Sequence, residues 1–224
     1  MQGELARLTM ADGAEIEVYR SWPKGVRRGG LVLVQEIFGL TDHIQEQCDK
    51  FAAAGFEVLA PAIFDRESPG LRADYSPAGI ETAIRIARDE HPFNLSVDDV
   101  RVCVEDLRSR GPVHLVGYCY GASVAWAAAC RLDGVAAASC YYGSHIARMA
   151  AEQPRAPTIL HFGIHDAGIP PSEIDTLRQA HPELEIFTYD AGHGFNSDRR
   201  TDYHAPSAAL AWERTLALFQ GGGE

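Results

Sequence analysis

Apolar residues in this chain form short unbroken runs, separated by stretches in which they recur every three or four positions. That alternation is expected of buried parallel strands covered by amphipathic helices. The unbroken runs lie at 31–35, 56–60, 113–116, 135–141, 158–162 and 184–189. Helical spacing is found at 42–54, 77–88, 96–110, 120–131, 144–151, 172–178 and 206–219. Ahead of them, two β-type runs at 5–10 and 14–20 flank Ala11-Asp12-Gly13, a hairpin signal at a sheet edge. The pattern predicts an α/β architecture: a mainly parallel central sheet, helices on both faces and an N-terminal hairpin. At 224 residues the chain has the length of one such domain, 1–224.

Local signals refine several of these elements. Thr41 is placed to cap the first helix, in which Ile44, Cys48, Phe51 and Ala52 share one face before Gly55 ends it. Pro61 stops the next strand, and 62–77 has loop composition, with Tyr75 a candidate substrate contact. Ser96 reads as an N-cap with Asp98 and Asp99 in the first turn, and Val97, Val100, Val104 and Leu107 form that helix's apolar face. Pro206 opens the last helix, with Trp212, Leu216 and Phe219 on its buried side, and the tail 221–224 is expected to be disordered.

The stretch from 113 to 129, VHLVGYCYGASVAWAAA, changes the picture from architecture to chemistry. A buried strand passes into an alanine-rich helix within a few residues, which requires a sharp, strained bend with small neighbours; Gly117 and Gly121 supply them. The result is a G-x-C-x-G form of the nucleophile elbow, with Cys119 held above the sheet and a helix N-terminus behind it, an arrangement that favours a thiolate. Taken alone, the motif is equally compatible with a buried structural cysteine between two packing glycines.

Charge and cysteine usage narrow the partners. Thirty-one acidic against twenty basic residues give a formal charge of −11 with no basic cluster, which disfavours nucleic acid and anionic membrane. No apolar run reaches the ~20 residues of a membrane span, and the N-terminus has no signal-peptide pattern, so a cytoplasmic location is expected. Five cysteines without C-x-x-C spacing argue against a disulfide framework or a zinc ribbon. Cys48, Cys103 and Cys130 read as core, and Cys140 has no assignment.

In a parallel sheet ligands bind beyond the carboxyl ends of the strands. Glu36, Cys119, Asp166 and His193 all fall there, and the order nucleophile, acid, histidine is that of the α/β-hydrolases, with cysteine in place of serine. His114, inside a strand, reads as a core histidine. His161 and His165 lie four residues apart, roughly 13 Å along a strand, too far to share one zinc ion. Neither a metal nor a cofactor is expected.

Gln35-Glu36-Ile37-Phe38-Gly39, Gly117-Tyr118-Cys119-Tyr120-Gly121, Asp166 and Ala191-Gly192-His193-Gly194-Phe195 together resemble the dienelactone hydrolases, or carboxymethylenebutenolidases, over nearly the whole chain. The resemblance implies an α/β-hydrolase fold and a Cys119/His193/Asp166 triad that opens a small-molecule lactone or enol ester through a thioester. It also implies that Glu36 lies beside the nucleophile and that the amides of Ile37 and Tyr120 form the oxyanion hole. Side by side, the two anionic groups should leave the resting thiol protonated and hydrogen-bonded to Glu36. Phe38, Tyr75, Arg72, Arg85 and Phe195 are candidate substrate contacts, although Phe195 reads first as packing. The family's arginine shortly after the catalytic histidine is displaced here, to Arg199 and Arg200; Arg66, Arg72 and Arg85 are further candidates for an anion clamp. An esterase or lactonase acting on another acyl group is the alternative, followed by a thiol redox protein.

Overall fold

The computed structural model describes residues 3–221, so the expectation for the tail falls largely on 222–224, outside the described residues. Strands β1 (Glu4–Thr9) and β2 (Glu15–Ser21) form the expected hairpin. Its turn needs Gly13, at φ 84°, and is held by Asp12 Oδ1 accepting from Ala14 N at 3.1 Å. The remaining strands are β3 (Gly29–Val34), β4 (Phe56–Pro61), β5 (Val113–Tyr118), β6 (Val135–Tyr141), β7 (Thr158–Gly163) and β8 (Glu185–Tyr189).

The sheet runs β1-β2-β4-β3-β5-β6-β7-β8, with β1/β2 and β2/β4 antiparallel and every later pair parallel. From β3 the chain steps one way to β4 through α1 (Asp42–Ala53). It then crosses back over β3 through α2 (Pro77–Arg85) and α3 (Phe93–Arg108) to β5, and continues outward through α4 (Tyr120–Arg131) and α5 (Pro171–Ala180). Right-handed crossovers in opposite directions put α1 on one face and α3, α4 and α5 on the other. Helix α6 (Ala205–Phe219) joins α1: the Phe51 ring lies 4.5 Å from Trp212 and 6.3 Å from Phe219. Strand order therefore reverses between β3 and β5, and a crevice opens beyond their carboxyl ends. Glu36 follows β3 and Cys119 follows β5.

Several local expectations are corrected. Helix α3 begins at Phe93 with Pro92 at the cap position, so Ser96 lies inside the helix, buried, and bonds His91 and Tyr120. Asp99 is buried too and takes a two-pronged ion pair from Arg66 (2.8 and 2.8 Å), rather than serving only the helix dipole. Thr41 occupies the α1 cap position but makes no side-chain capping bond. Ser76 does cap α2, accepting from Gly79 N at 3.1 Å, and α2 runs into a π-helical turn, Ile86–Glu90. The helix expected at 144–151 is a 3-10 turn, Ile146–Met149. On α6 the buried line is Ser207, Ala211, Thr215 and Phe219, with Trp212 and Leu216 half-buried beside it.

Among the described residues no helix is long and apolar enough to cross a membrane. The core on the α1/α6 face turns on Phe51, fully enclosed among Phe56, Trp212 and Phe219. Phe51→Ala should cost about 3–5 kcal/mol through lost burial plus the cavity left behind, read from the urea midpoint at unchanged m-value.

Candidate active site

A single residue, Cys119, separates β5 from α4, and its backbone sits at φ 54°, ψ −114°, outside the regions ordinary residues favour. Two close approaches enforce the bend. A Cβ on Gly117 would lie 2.1 Å from Gly121 O, and one on Gly121 would lie 2.2 Å from Val34 O and 2.4 Å from Gln35 O. The elbow is thus pressed against the end of β3, and Cys119 N donates to Tyr141 O (2.9 Å) on its other side.

Three loops converge on the thiol. Cys119 Sγ is 3.1 Å from His193 Nε2, and His193 Nδ1–H donates to Asp166 Oδ2 at 2.6 Å. Asp166 is 5% exposed, and its other oxygen accepts from Gly168 N at 2.8 Å, which fixes the carboxylate plane. Gly163 lets the β7 loop meet the histidine loop, since a Cβ there would lie 2.3 Å from Ala191 O. Burial pulls His193 down, but the adjacent sulfur and the Asp166 carboxylate outweigh it and raise the imidazole to about 10. The arrangement can pass the thiol proton to the imidazole and hold the resulting cation.

Glu36 is 1% exposed, yet neither of its oxygens has a hydrogen-bond donor among the described residues. The expected thiol–Glu36 hydrogen bond is absent; the sulfur bonds His193 instead. Arg200 Nη1 stands 3.7 Å from Glu36 Oε1. Burial raises the Glu36 carboxyl above its ordinary value, with Arg200 and then His193 opposing. The wholly buried Tyr142, at φ 44°, lies with its ring 5.1 Å from His193. It directly follows β6, so the carboxyl-edge rule that singled out the other loops applies to it as well.

Beside the thiol is a cavity of about 400 Å³ lined by Ile37, Phe38, Tyr120, Ile80, Ile84, Arg88 and Arg200, among others. Of the expected substrate contacts, Phe38 lines it, and Tyr75 stands behind Phe38, ring centroids 4.7 Å apart. Arg72 lies outside: its Nε donates to Leu40 O (3.1 Å), and its strand-like bridge to Gly39 braces the 36–40 loop from behind. Gly39, at φ 85°, is required there, because a Cβ would fall 1.9 Å from Leu71 O. Arg85 is exposed, does not line the cavity and pairs with Glu90. Arg66 is held by Asp12 and Asp99, and Arg199 by Asp198 and Glu46. Phe195 is fully enclosed among Tyr141, Tyr142 and Tyr189 and is core. The cations facing the cavity are Arg200, whose guanidinium also sits 6.0 Å above the Tyr75 ring, and Arg88, which the sequence reading passed over.

The other thiols lie away from the site, and of the other histidines His145 and His165 line the cavity. Cys48, Cys103, Cys130 and Cys140 are all buried, and burial pushes each thiol up. His114 is buried against Gly30 O (3.3 Å). His161 is enclosed between Ser139 and Tyr189 and pushed down to about 3 by burial, whereas His165 is exposed and bonds Asp190.

The profile of the Dienelactone hydrolase family matches residues 16–222. A Synechocystis sp. protein named "Putative carboxymethylenebutenolidase" is 32% identical over 210 residues, 85% of each chain. An Escherichia coli K12 protein of the same name is 33% identical over 214 residues, 87% of this chain and 78% of its own. The crystal structure of a Klebsiella pneumoniae protein, described as "Putative Dienelactone Hydrolase", superposes with a TM-score of 0.86 at 27% identity, covering 97% of this chain and 98% of that one. The chain belongs to the dienelactone hydrolase family and is a hydrolase built on the α/β-hydrolase fold.

Proposed function

We propose that this hydrolase opens activated lactones or enol esters with Cys119 as nucleophile, through a thioester acyl-enzyme. The observation that carries the reading is the continuous Sγ···Nε2, Nδ1–H···Oδ2 line of 3.1 and 2.6 Å on a strained elbow. In the reaction His193 Nε2 takes the thiol proton as sulfur bonds to the carbonyl carbon, and the amides of Ile37 and Tyr120 hold the oxyanion. Collapse breaks the carbon–oxygen bond, and His193 returns the proton to the leaving oxygen, which in a lactone stays tethered to the acyl group. Water, deprotonated by His193, then hydrolyses the thioester and restores the thiol. A thiolate is a strong nucleophile but leaves readily from the tetrahedral adduct, which suits esters with good leaving groups. Purified protein assayed on a panel of lactones and enol esters, with and without one equivalent of iodoacetamide, tests the reading. No thiol-sensitive turnover on any of them would refute it.

A second reading, an esterase or lactonase for a less charged acyl group, has its own support. Ile80 and Ile84 line the cavity while Arg72 and Arg85 do not, and of the two arginines that do, Arg200 stands beside the Glu36 carboxylate, which leaves Arg88 to meet an anionic acyl group. Faster turnover of neutral than of carboxylate-bearing lactones in the same panel would favour it.

Glu36 gives a prediction in which stability and activity move oppositely. Its folded pKa is raised, so the folded protein holds this proton more tightly than the unfolded chain, and stability falls as pH climbs from the unfolded value of 4.5 through the folded one. Glu36→Gln removes that loss, so its urea midpoint should gain on the wild type as pH climbs above 4.5, while turnover drops because the carboxylate can no longer relay the thiol proton to His193. Urea unfolding at several pH values, alongside kcat, checks both signs.

A further inference from the structure

A second buried line of hydrogen bonds runs beside the catalytic one. His91 Nδ1 lies 2.9 Å from Glu67 Oε2, His91 Nε2 lies 3.0 Å from Ser96 Oγ, and Ser96 Oγ lies 2.8 Å from the Tyr120 hydroxyl. The residue types are those of a Ser/His/Glu triad, but Ser96 is 0% exposed and beyond the reach of any substrate, so the line is not a second nucleophile. A carboxylate at Glu67 only accepts, so a neutral His91 carries its proton on Nδ1, Nε2 accepts from the Ser96 hydroxyl, and Ser96 accepts from Tyr120; a protonated His91 donates at both nitrogens and Ser96 accepts from it. In either state the four groups form one continuous line.

The line ends at a sensitive place. Tyr120 is the first residue of α4, directly after the strained Cys119, and such a conformation persists only where its surroundings over-determine it. The rings of Phe64 and Phe93 pack on Tyr120 at 5.3 and 5.9 Å, and the hydroxyl is the side chain's polar tether. At the other end Glu67 and His91 close the two ends of the excursion 68–90, which carries the cavity wall of Ile80, Ile84 and Arg88. One hydrogen-bonded line therefore joins that wall to the elbow.

We propose that Glu67, His91 and Ser96 are positioning residues, which hold Tyr120, and through it the backbone following Cys119, in register with the cavity wall. The kinetic part of this proposal depends on Cys119-based hydrolysis as proposed above; the structural part does not. Tyr120→Phe keeps the ring and removes the tether, and Ser96→Ala cuts the line one bond further on. Both should lower kcat for p-nitrophenyl acetate by about five- to tenfold with KM within about twofold, the signature of a group that acts on the transition state. The double variant should be no worse than the poorer single one, because both remove the same interaction. Glu67→Ala leaves the Nδ1 proton without its acceptor and should lower kcat in the same direction. Deuterium exchange of the 118–124 peptide should quicken at least about fivefold in Tyr120→Phe and Ser96→Ala, with β7 and β8 unchanged. Folded single variants with wild-type kcat and unchanged exchange at 118–124, whatever their Tm, would overturn the proposal, and so would losses that simply add in the double variant. If the wild type shows no Cys119-dependent turnover, the Cys119 reading falls, and exchange at 118–124 alone decides this one.

Discussion

Cys119→Ala should abolish ester and lactone hydrolysis, lowering kcat/KM by about 10⁴-fold or more, while the protein folds and unfolds like the wild type. The size of the loss follows from the site. His193 has no other nucleophile within reach, and water has neither the sulfur's position on the elbow nor its polarisability. What survives is the contribution of the oxyanion donors and of binding, roughly 10³–10⁴ over the uncatalysed rate in comparable triads. The smaller side chain leaves Gly117 and Gly121 in place, so the bend itself is kept. The same substitution at Cys103 or Cys140, both fully buried and in contact with no reacting group, should leave kcat near wild type and lower the urea midpoint instead. Equal loss of activity in all three folded variants would remove Cys119 from its proposed role.

How much of this could be read in the sequence depended on how local each signal was. The hairpin at Gly13, the elbow glycines and the strand-and-helix alternation are written into adjacent residues, and the structure has them where the pattern puts them. The meeting of Cys119, His193 and Asp166 was legible for a topological reason: each follows a strand at the same edge of the sheet. Ser96 misled because a serine ahead of an apolar run looks like a cap, whereas its partners, His91 and Tyr120, are brought to it only by the tertiary fold. The arginines were least legible. A long flexible side chain on a loop can face either way, and the backbone between His193 and Arg200, which turns at Gly194 (φ 78°), decides that Arg200 faces Glu36 while Arg199 pairs outward with Glu46. Ile80 and Ile84 carry an ordinary helical spacing, so nothing in the pattern separates lining a cavity from packing in a core.

Asp166→Asn should leave a folded protein whose kcat falls by about 10³–10⁴-fold, because the carboxylate sets which imidazole nitrogen carries the proton. As an acceptor 2.6 Å from Nδ1, Asp166 keeps a proton there and turns Nε2 to the sulfur, so that the proton shared with Cys119 can sit on the imidazole as a stabilised cation. The introduced amide can turn its NH₂ toward Nδ1, moving the proton to Nε2, which then donates to the sulfur and cannot act as base. Asp190 and Asp198 are engaged elsewhere, Asp190 with the exposed His165 and Asp198 with Arg199. A thermodynamic trace should accompany the kinetic one. His193 is raised above its ordinary 6.5 to about 10, so its share of the stability is fully present below pH 6.5 and is lost as pH rises through 10. Without the carboxylate that raised value drops, and the alkaline fall in stability between these limits should become shallower in Asp166→Asn than in the wild type. Urea unfolding from pH 6 to 10 reads the slope, and kcat reads the tautomer. A variant with wild-type kcat and an unaltered slope would mean that Asp166 neither orients His193 nor stabilises its charge.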